Sequence, residues 1–361
     1  MSQLINYKKI KNKEKHIIFA LQGMGDFIIN LPLIKNYSLS EIDLTLVISN
    51  NGSSQISNNI LEDKCINLII WNEKNTRLRN FINILQELQS YKFNKAFALY
   101  PSGRRENLLL YLTRADKKFI SLVPHGFFRL FQFLNNQGSF VDDIRKHCIE
   151  INSHLLDIPI NKNKEIQKKF NSRDRMKIGF HIGAGNKNRE WNEQYFEELI
   201  KLIKEEDNIE LFFFGGKKEA KKTINLSKKF KVEKNLYIDS ELDSLIGILS
   251  NLDFYIGNDS GFTHLCSFLG IKTITIWAYA NFYKTSSYSE NNIIIKYNDS
   301  CHEKYDLSLR KNKVCNCINL IKPSQISSIF YSEINNKNLS ELSFVNRVEK
   351  LSSRARVVYV N

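Results

Sequence analysis

Three glycine-bearing clusters hold the residues whose types and spacing could do chemistry. The first is Gly23-Met24-Gly25-Asp26. Glycines let a backbone turn tightly and let a ligand approach, and a carboxylate near a helix N-terminus there can serve as a general base. The same Asp26 can equally be a plain helix cap. The second is HIGAGNKNREW at 181–191, where Gly183, Lys187 and Arg189 precede a helix. Backbone N–H groups, a helix dipole and two cations all favour an anion, so the loop is a candidate diphosphate cradle. It lacks the Gly-Lys-Ser/Thr ending of a Walker loop, and its plain alternative is a solvated basic loop. Trp191 reads as a packing residue. The third is Gly257-Asn258-Asp259-Ser260-Gly261-Phe262-Thr263-His264. Asp259 can fix a sugar or ribose hydroxyl, and Ser260 to Thr263 can bind phosphate oxygens through backbone and hydroxyl groups. His264, one turn beyond Ser260, is a further donor or a structural histidine.

Each cluster follows a short apolar run and precedes a helical pattern, which sets the expected elements. HIIFAL (16–21), LTLVIS (44–49), INLIIW (66–71) and AFALY (96–100) read as buried strands, with a helix over 76–91. The polar, lysine-rich stretch at 155–175 reads as a domain boundary. The pattern then restarts with KIGFHI (177–182), an amphipathic helix over 191–206, IELFFFGG (209–216), LYIDS, LDFYIGNDSG and TITIWA. Alternating strands and helices predict α/β domains with parallel sheets over 1–160 and 175–330, and a polar basic tail over 331–361 that packs back on the first domain as a helix or hangs free. An active site is then expected in the cleft between the domains, at the C-terminal ends of the strands.

Composition agrees with a folded enzyme. Of 361 residues, 42% are hydrophobic and 25% charged, with a formal net charge of +14. Lysines are scattered among asparagines and isoleucines without a basic recognition helix, so nucleic acid is not an expected partner. No apolar run is long enough for a membrane span, and the polar start lacks a signal-peptide core, which places the protein in the cytoplasm. Six cysteines, unevenly spaced, are expected as reduced thiols.

Taken together, ALQGMGDFIINLPLI, FHIGAGNKNREWNEQYFEELI and YIGNDSGFTHLCSFLGIKTITIWA resemble the signature regions of glycosyltransferase family 9, the ADP-heptose:lipopolysaccharide heptosyltransferases. FNKAFALYPSGRRENLLLYLTRADKKFIS also resembles a family segment in which a strand ends in an arginine-bearing loop. The resemblance implies a GT-B architecture, two Rossmann-like parallel-sheet domains facing across a cleft, with the acceptor on the N-terminal domain and the nucleotide sugar on the C-terminal one. It implies an inverting transfer of heptose from ADP-heptose to a lipopolysaccharide or lipooligosaccharide core, or a related surface glycan. Asp26 matches the catalytic base, and Arg189 stands where the family has a phosphate-binding lysine, with Lys187 beside it. Gly183, Asp259, Ser260, Gly261, Thr263 and His264 match donor-binding loops; Gly25, Arg104 and Arg105 fall on the acceptor side, where the arginines would hold phosphate or carboxylate groups. Phe262 and Thr263 depart from the small residues or proline of relatives.

No metal or other cofactor is expected. Cys301, Cys315 and Cys317, with His302, resemble the family's cysteine-bearing loop, but their C-x-C spacing departs from standard zinc sites. The expected partners are the nucleotide sugar, an anionic lipid-linked oligosaccharide and the cytoplasmic face of the inner membrane, reached through a basic face of the N-terminal domain. Other readings keep the family with a different nucleotide sugar or a capsule or protein acceptor, or make the chain a GT-B epimerase, a hydrolase or a non-catalytic binder.

Overall fold

The computed structural model describes residues 13–50, 66–72, 77–122, 137–140, 146–160, 175–204, 208–278, 281–298, 316–351 and 355–361. The chain forms two compact units, Met1–Asn163 and Lys164–Asn361.

In the first unit, β1 (Glu14–Ala20), β2 (Ile42–Ser49), β3 (Ile66–Trp71), β4 (Phe93–Ala98), β5 (Ala115–Leu122) and β6 (Gln137–Phe140) pair in the order β3-β2-β1-β4-β5-β6. All neighbours are parallel. The near-continuous apolar runs of the central strands fit a sheet covered on both faces: Ile17, Ile18, Phe19 and Ala20 are wholly buried. Helices α1 (Met24–Tyr37), α2 (Arg77–Gln89), α3 (Arg104–Leu112) and α4 (Cys148–Leu156) complete the unit. The fourth strand is shifted from its expected place. It starts at Phe93 and ends at Ala98, short of Pro101, which has no N–H to give a ladder.

In the second unit, β7 (Met176–His181), β8 (Ile209–Gly215), β9 (Leu236–Ile238), β10 (Phe254–Asn258), β11 (Lys272–Trp277) and β12 (Asn292–Tyr297) repeat the scheme. Between them run α5 (Glu193–Lys204), α6 (Ala220–Lys229), α7 (Leu242–Leu249), α8 (Gly261–Phe268) and α9 (Phe282–Thr285); α10 (Pro323–Ile334) follows. Phe196, Leu199, Ile200 and Ile203 give α5 one apolar stripe at helical spacing, all of it buried. That stripe shares a core with Ile326, Ile329 and Phe330 of α10.

The residues after Tyr331 are neither a helix on the first unit nor a loose tail. β13 (Val345–Lys350) and β14 (Ala355–Val360) form an antiparallel hairpin that completes an eight-stranded sheet, β13-β14-β12-β11-β10-β7-β8-β9. β14 pairs parallel with β12 and buries Val357, Val358, Tyr359 and Val360, a β-branched and aromatic run suited to a strand. β13 carries Arg347, Glu349 and Lys350 along the sheet edge, where charge blunts further strand pairing. Glu333 of α10 anchors the hairpin by accepting from Arg356 at 2.7 Å and pairing with Lys272 at 2.8 Å. Burial works against its ionisation, yet the two cations hold its carboxyl below the usual range.

Both sheets reverse direction beside their first strand. The chain leaves β1 toward β2 and β3 and returns to β4 on the other side; it leaves β7 toward β8 and β9 and returns to β10. In open parallel sheets the crevice at the C-terminal ends of such a strand pair is where ligands bind. The loops after β1 and β4, and those after β7 and β10, carry the clusters singled out from the sequence. Among the described residues no helix is long and apolar enough to cross a membrane.

Candidate functional site

In the second unit, the loop after β7 passes through a short 3₁₀ turn at Lys187–Arg189 before α5. Its two ends are tied to β10 by one side chain. Asn258, wholly buried, donates through Nδ2 to the Ile182 carbonyl (2.9 Å) and accepts the Trp191 N–H on Oδ1 (3.1 Å). Trp191 packs as expected, buried at the start of α5, with its indole N–H donating to the Ile321 carbonyl.

So held, the loop places Arg189 Nη1 2.9 Å from Asp259 Oδ2. The contact is close without being an aligned hydrogen bond. Among the described residues, Arg189 Nε and Asp259 Oδ2 therefore keep hydrogen-bonding capacity. The other carboxylate oxygen lies 3.7 Å from His264 Nε2, and His264 Nδ1 is 3.0 Å from Ser287 Oγ. Lys187 is exposed and stands outside this chain of contacts. Ser260 is the N-cap of α8; its Oγ accepts the Thr263 N–H at 3.4 Å, while the Thr263 hydroxyl donates to the Asn258 carbonyl at 2.6 Å. Gly261 and Phe262 open the helix, so their N–H groups point out of its N-terminus with no intrahelical acceptor.

Behind Ser260 stands a pair that the sequence reading did not single out. His181, the last residue of β7, reaches Glu219 Oε1 with Nε2 at 2.9 Å. The hydrogen bond from His181 holds the Glu219 carboxyl down to about 2 against its burial, with the Gly216 N–H (2.7 Å) helping. The His181 ring stacks on Phe262, centroids 4.7 Å apart and planes 14° apart, so the departure at Phe262 has a structural use. Gly183 is required by this packing: a Cβ there would lie 2.6 Å from Glu219 Cδ.

In the first unit, Gly23 is the N-cap of α1 and Asp26 lies in the first turn, half-buried. Gly25, expected in the turn, is already helical. The turn bearing Asp26 is fixed by a buried amide relay. Asn30 Nδ2 donates to the Asp26 carbonyl (2.8 Å), and Asn152 of α4 donates to Asn30 Oδ1 (2.9 Å) and to the Tyr100 carbonyl (2.8 Å). Asn152 Oδ1 accepts the Tyr100 N–H at 2.7 Å. The loop after β4 is thereby locked to α1. Arg104 and Arg105 begin α3; Arg104 is exposed, and the Arg105 guanidinium sits 5.5 Å from the ring centroid of the buried Trp71.

Thus Arg189, Asp259, Ser260, Gly261, Thr263 and His264 come together at the switch point of one sheet. Asp26 and Gly25, and Arg104 and Arg105, lie in the first turns of the helices that follow the paired strands β1 and β4. Asn30, Asn152, Asn258, His181, Glu219 and Ser287 were missed. Asn258 and His181 stood within clusters singled out from the sequence, without a role. Cys301, His302 and Cys315 lie outside the described residues, and among those described no group of three or more His, Cys, Asp or Glu is arranged to hold a metal.

The model of glycosyltransferase family 9 (heptosyltransferase) matches residues 149–314. A lipopolysaccharide heptosyltransferase 1 of Campylobacter coli is 25% identical over 304 residues, 75% of this chain and 87% of the relative. A lipooligosaccharide heptosyltransferase 2 of Campylobacter jejuni is 22% identical over 273 residues, 72% of this chain and 80% of the relative. The structure of E. coli heptosyltransferase WaaC with ADP superposes with a TM-score of 0.65 at 14% identity, covering 88% of this chain and 99% of that one. The two parallel-sheet units thus have the GT-B fold, and the family match over the middle of the chain and these relatives make it similar to the heptosyltransferases of glycosyltransferase family 9.

Proposed function

We propose that the protein transfers heptose from ADP-heptose to an anionic acceptor, a lipopolysaccharide or lipooligosaccharide core, inverting the anomeric centre in one displacement. The observation that carries the donor half is the switch point between β7 and β10. There the Arg189 guanidinium and the open N-terminus of α8 offer positive charge and N–H donors, while Asp259 offers a buried carboxylate acceptor. A nucleotide sugar needs both, donors for its diphosphate and acceptors for its hydroxyls. As ADP leaves, the diphosphate gains negative charge. Arg189, with Lys187 at the loop surface, and the α8 N–H groups are placed to stabilise that charge. Gly183 keeps the cradle wall thin.

On the acceptor side, Asp26 is assigned as the base that takes the proton from the attacking hydroxyl. Its turn is held rigid by Asn30 and Asn152, as a positioned base requires. Arg104 and Arg105, with Gly25 beside Asp26 in sequence, are assigned to the acceptor side, the arginines to its phosphate or carboxylate groups; Arg105 is braced by Trp71. The lipid of such an acceptor would bring the protein from the cytoplasm to the inner-membrane surface, with basic side chains against anionic headgroups. The names of the Campylobacter relatives and the ADP in the WaaC structure support the choice of acceptor class and nucleotide.

The test is a thermal-shift series with ADP, UDP, GDP, dTDP, CMP and ADP-heptose on the wild type and on Asp26→Asn, paired with turnover of ADP-heptose. Saturation at about 100 times Kd stabilises by about 2.7 kcal/mol, which for a unit of this size raises Tm by about 5 °C or more. ADP alone among the nucleotides should give that shift, with a larger one for ADP-heptose. Asp26→Asn should keep both shifts and lose about 10²-fold or more in turnover. A shift with another nucleotide alone moves the donor assignment, and full turnover by the variant removes Asp26 as base.

A further inference from the structure

The His181 ring is held on three sides inside the donor half of the molecule. Its Nε2 lies 2.9 Å from Glu219 Oε1, its face stacks on Phe262, and its Nδ1 lies 3.4 Å from Ser260 Oγ. Glu219 also accepts the Gly216 N–H and is a carboxylate throughout the neutral range, so it can only accept. Nε2 must therefore carry a hydrogen in either charge state of the ring. Only Nδ1 is left to gain or lose a proton.

Each state of Nδ1 gives Ser260 a different hydrogen. In the neutral ring, Nδ1 is a buried lone pair, and the Ser260 hydroxyl is the donor within reach, so the Ser260 proton turns inward. In the imidazolium, Nδ1–H donates into Ser260 Oγ, which already accepts from the Thr263 N–H. The Ser260 proton is then released from Nδ1, and of the acceptors around it, Thr263 Oγ1 at 3.4 Å, the Tyr255 hydroxyl and an anion at the open N–H groups of α8, the anion is the strongest. An anionic oxygen bound there gains a hydroxyl donor only in the second state. The neutral ring instead presents it with the lone pairs of Ser260.

We propose that His181 is a positioning residue that couples diphosphate binding to proton uptake: a nucleoside diphosphate at the N-terminus of α8 draws one proton from solvent onto His181 Nδ1, which turns the Ser260 hydroxyl toward the phosphate. The coupling rests on the donor site proposed above. The groups around the ring favour it. Glu219, from the approach to α6, is the charge in direct contact. Tyr255 of β10, whose hydroxyl and the His181 carbonyl both lie against Gly257, is kept neutral by burial, which pushes its pKa up. Asp259 is already paired with Arg189, and His264 is engaged by Asp259 and Ser287.

The experiment is titration calorimetry of ADP into the full chain near neutral and mildly alkaline pH, in pairs of buffers with different ionisation enthalpies. The dependence of heat on buffer should report uptake approaching one proton per ADP. The wild-type affinity should fall by up to about tenfold per pH unit as pH rises through the mildly alkaline range. His181→Asn, which offers Ser260 an amide with no titrating proton, should bind ADP with a flattened pH profile and without that proton. His181→Phe should keep the stack on Phe262 and lose the uptake. Comparing variants with wild type cancels the titration of the nucleotide itself, and at mildly alkaline pH, where free ADP is already fully ionised, the wild-type buffer pairs decide the matter even if a variant does not fold. ADP binding without proton uptake, or a His181→Asn profile that parallels wild type, overturns the coupling while the donor site stands. No ADP binding by the wild type removes the donor site and the coupling together.

Discussion

Asn258→Ala should cost more than any surface asparagine, and the cost can be worked from its partners. The side chain is wholly buried and serves two main-chain groups across 67 and 76 residues of sequence, the Trp191 N–H and the Ile182 carbonyl. Both groups belong to buried residues, and after truncation each loses its partner. A buried polar group left unsatisfied costs about 1–3 kcal/mol, so the pair costs about 2–6 kcal/mol. Urea unfolding followed by circular dichroism should show a midpoint lower by about 1 M or more. The same truncation frees both ends of the loop that carries Arg189, so ADP affinity should fall with stability. The control is Asn251→Ala, an exposed residue just past α7 whose amide donates to the Gly247 carbonyl of that helix, expected to change stability by about 0.5 kcal/mol or less. Equal midpoints for the two variants would refute the view that Asn258 is the strap holding the diphosphate loop.

Two further outcomes follow from the charges beside it. Glu219 has a folded-state pKa of about 2, below its ordinary 4.5, so its ionised form contributes stability that is full above the ordinary value and lost as pH falls through about 2. The stability gap between wild type and Glu219→Gln should therefore be widest near neutral pH and narrow steadily below about pH 4.5; a gap that stays constant down to about pH 2.5 would deny the hydrogen bond from His181. Arg189→Lys keeps the charge but not the fork. Arginine can face Asp259 with one nitrogen and keep Nε and the rest of the guanidinium for phosphate, whereas an ammonium concentrates its charge on one partner, so calorimetry should show ADP binding weakened about tenfold, and unchanged affinity would return the role to Lys187.

What could be read from the sequence was local. Strand–glycine–helix clusters announce themselves over ten residues, so the loops at Asp26, Gly183 and Asp259 were found at the right ends of the right strands, and Trp191 was correctly read as packing. The pairing of Arg189 with Asp259 was not legible. It depends on β10 returning to lie beside β7, and hydrophobic periodicity gives strands without giving their order. His181 closed an apolar run and read as the end of a strand; only the arrival of Glu219 from the next crossover gives its ring a hydrogen-bond partner. Asn258 was hidden by a composition rich in asparagine. Its role appears once both the start and the end of one loop are seen to pass the same strand.

The last thirty residues show the opposite failure, in which local polarity misled. VNRVEK is an edge strand whose exposed charges resemble a tail, and it conceals ARVVYV, which the sheet needs to cover β12. Burial of Val357 through Val360 and the cations on Glu333 make this hairpin part of the core of the second unit. The consequence reaches the site. β14 flanks β12, β12 flanks β11, and β11 flanks β10, the strand that presents Asn258 and the Asp259 loop. The stretch with least apparent chemistry thus closes the edge of the sheet on which the proposed donor loops depend.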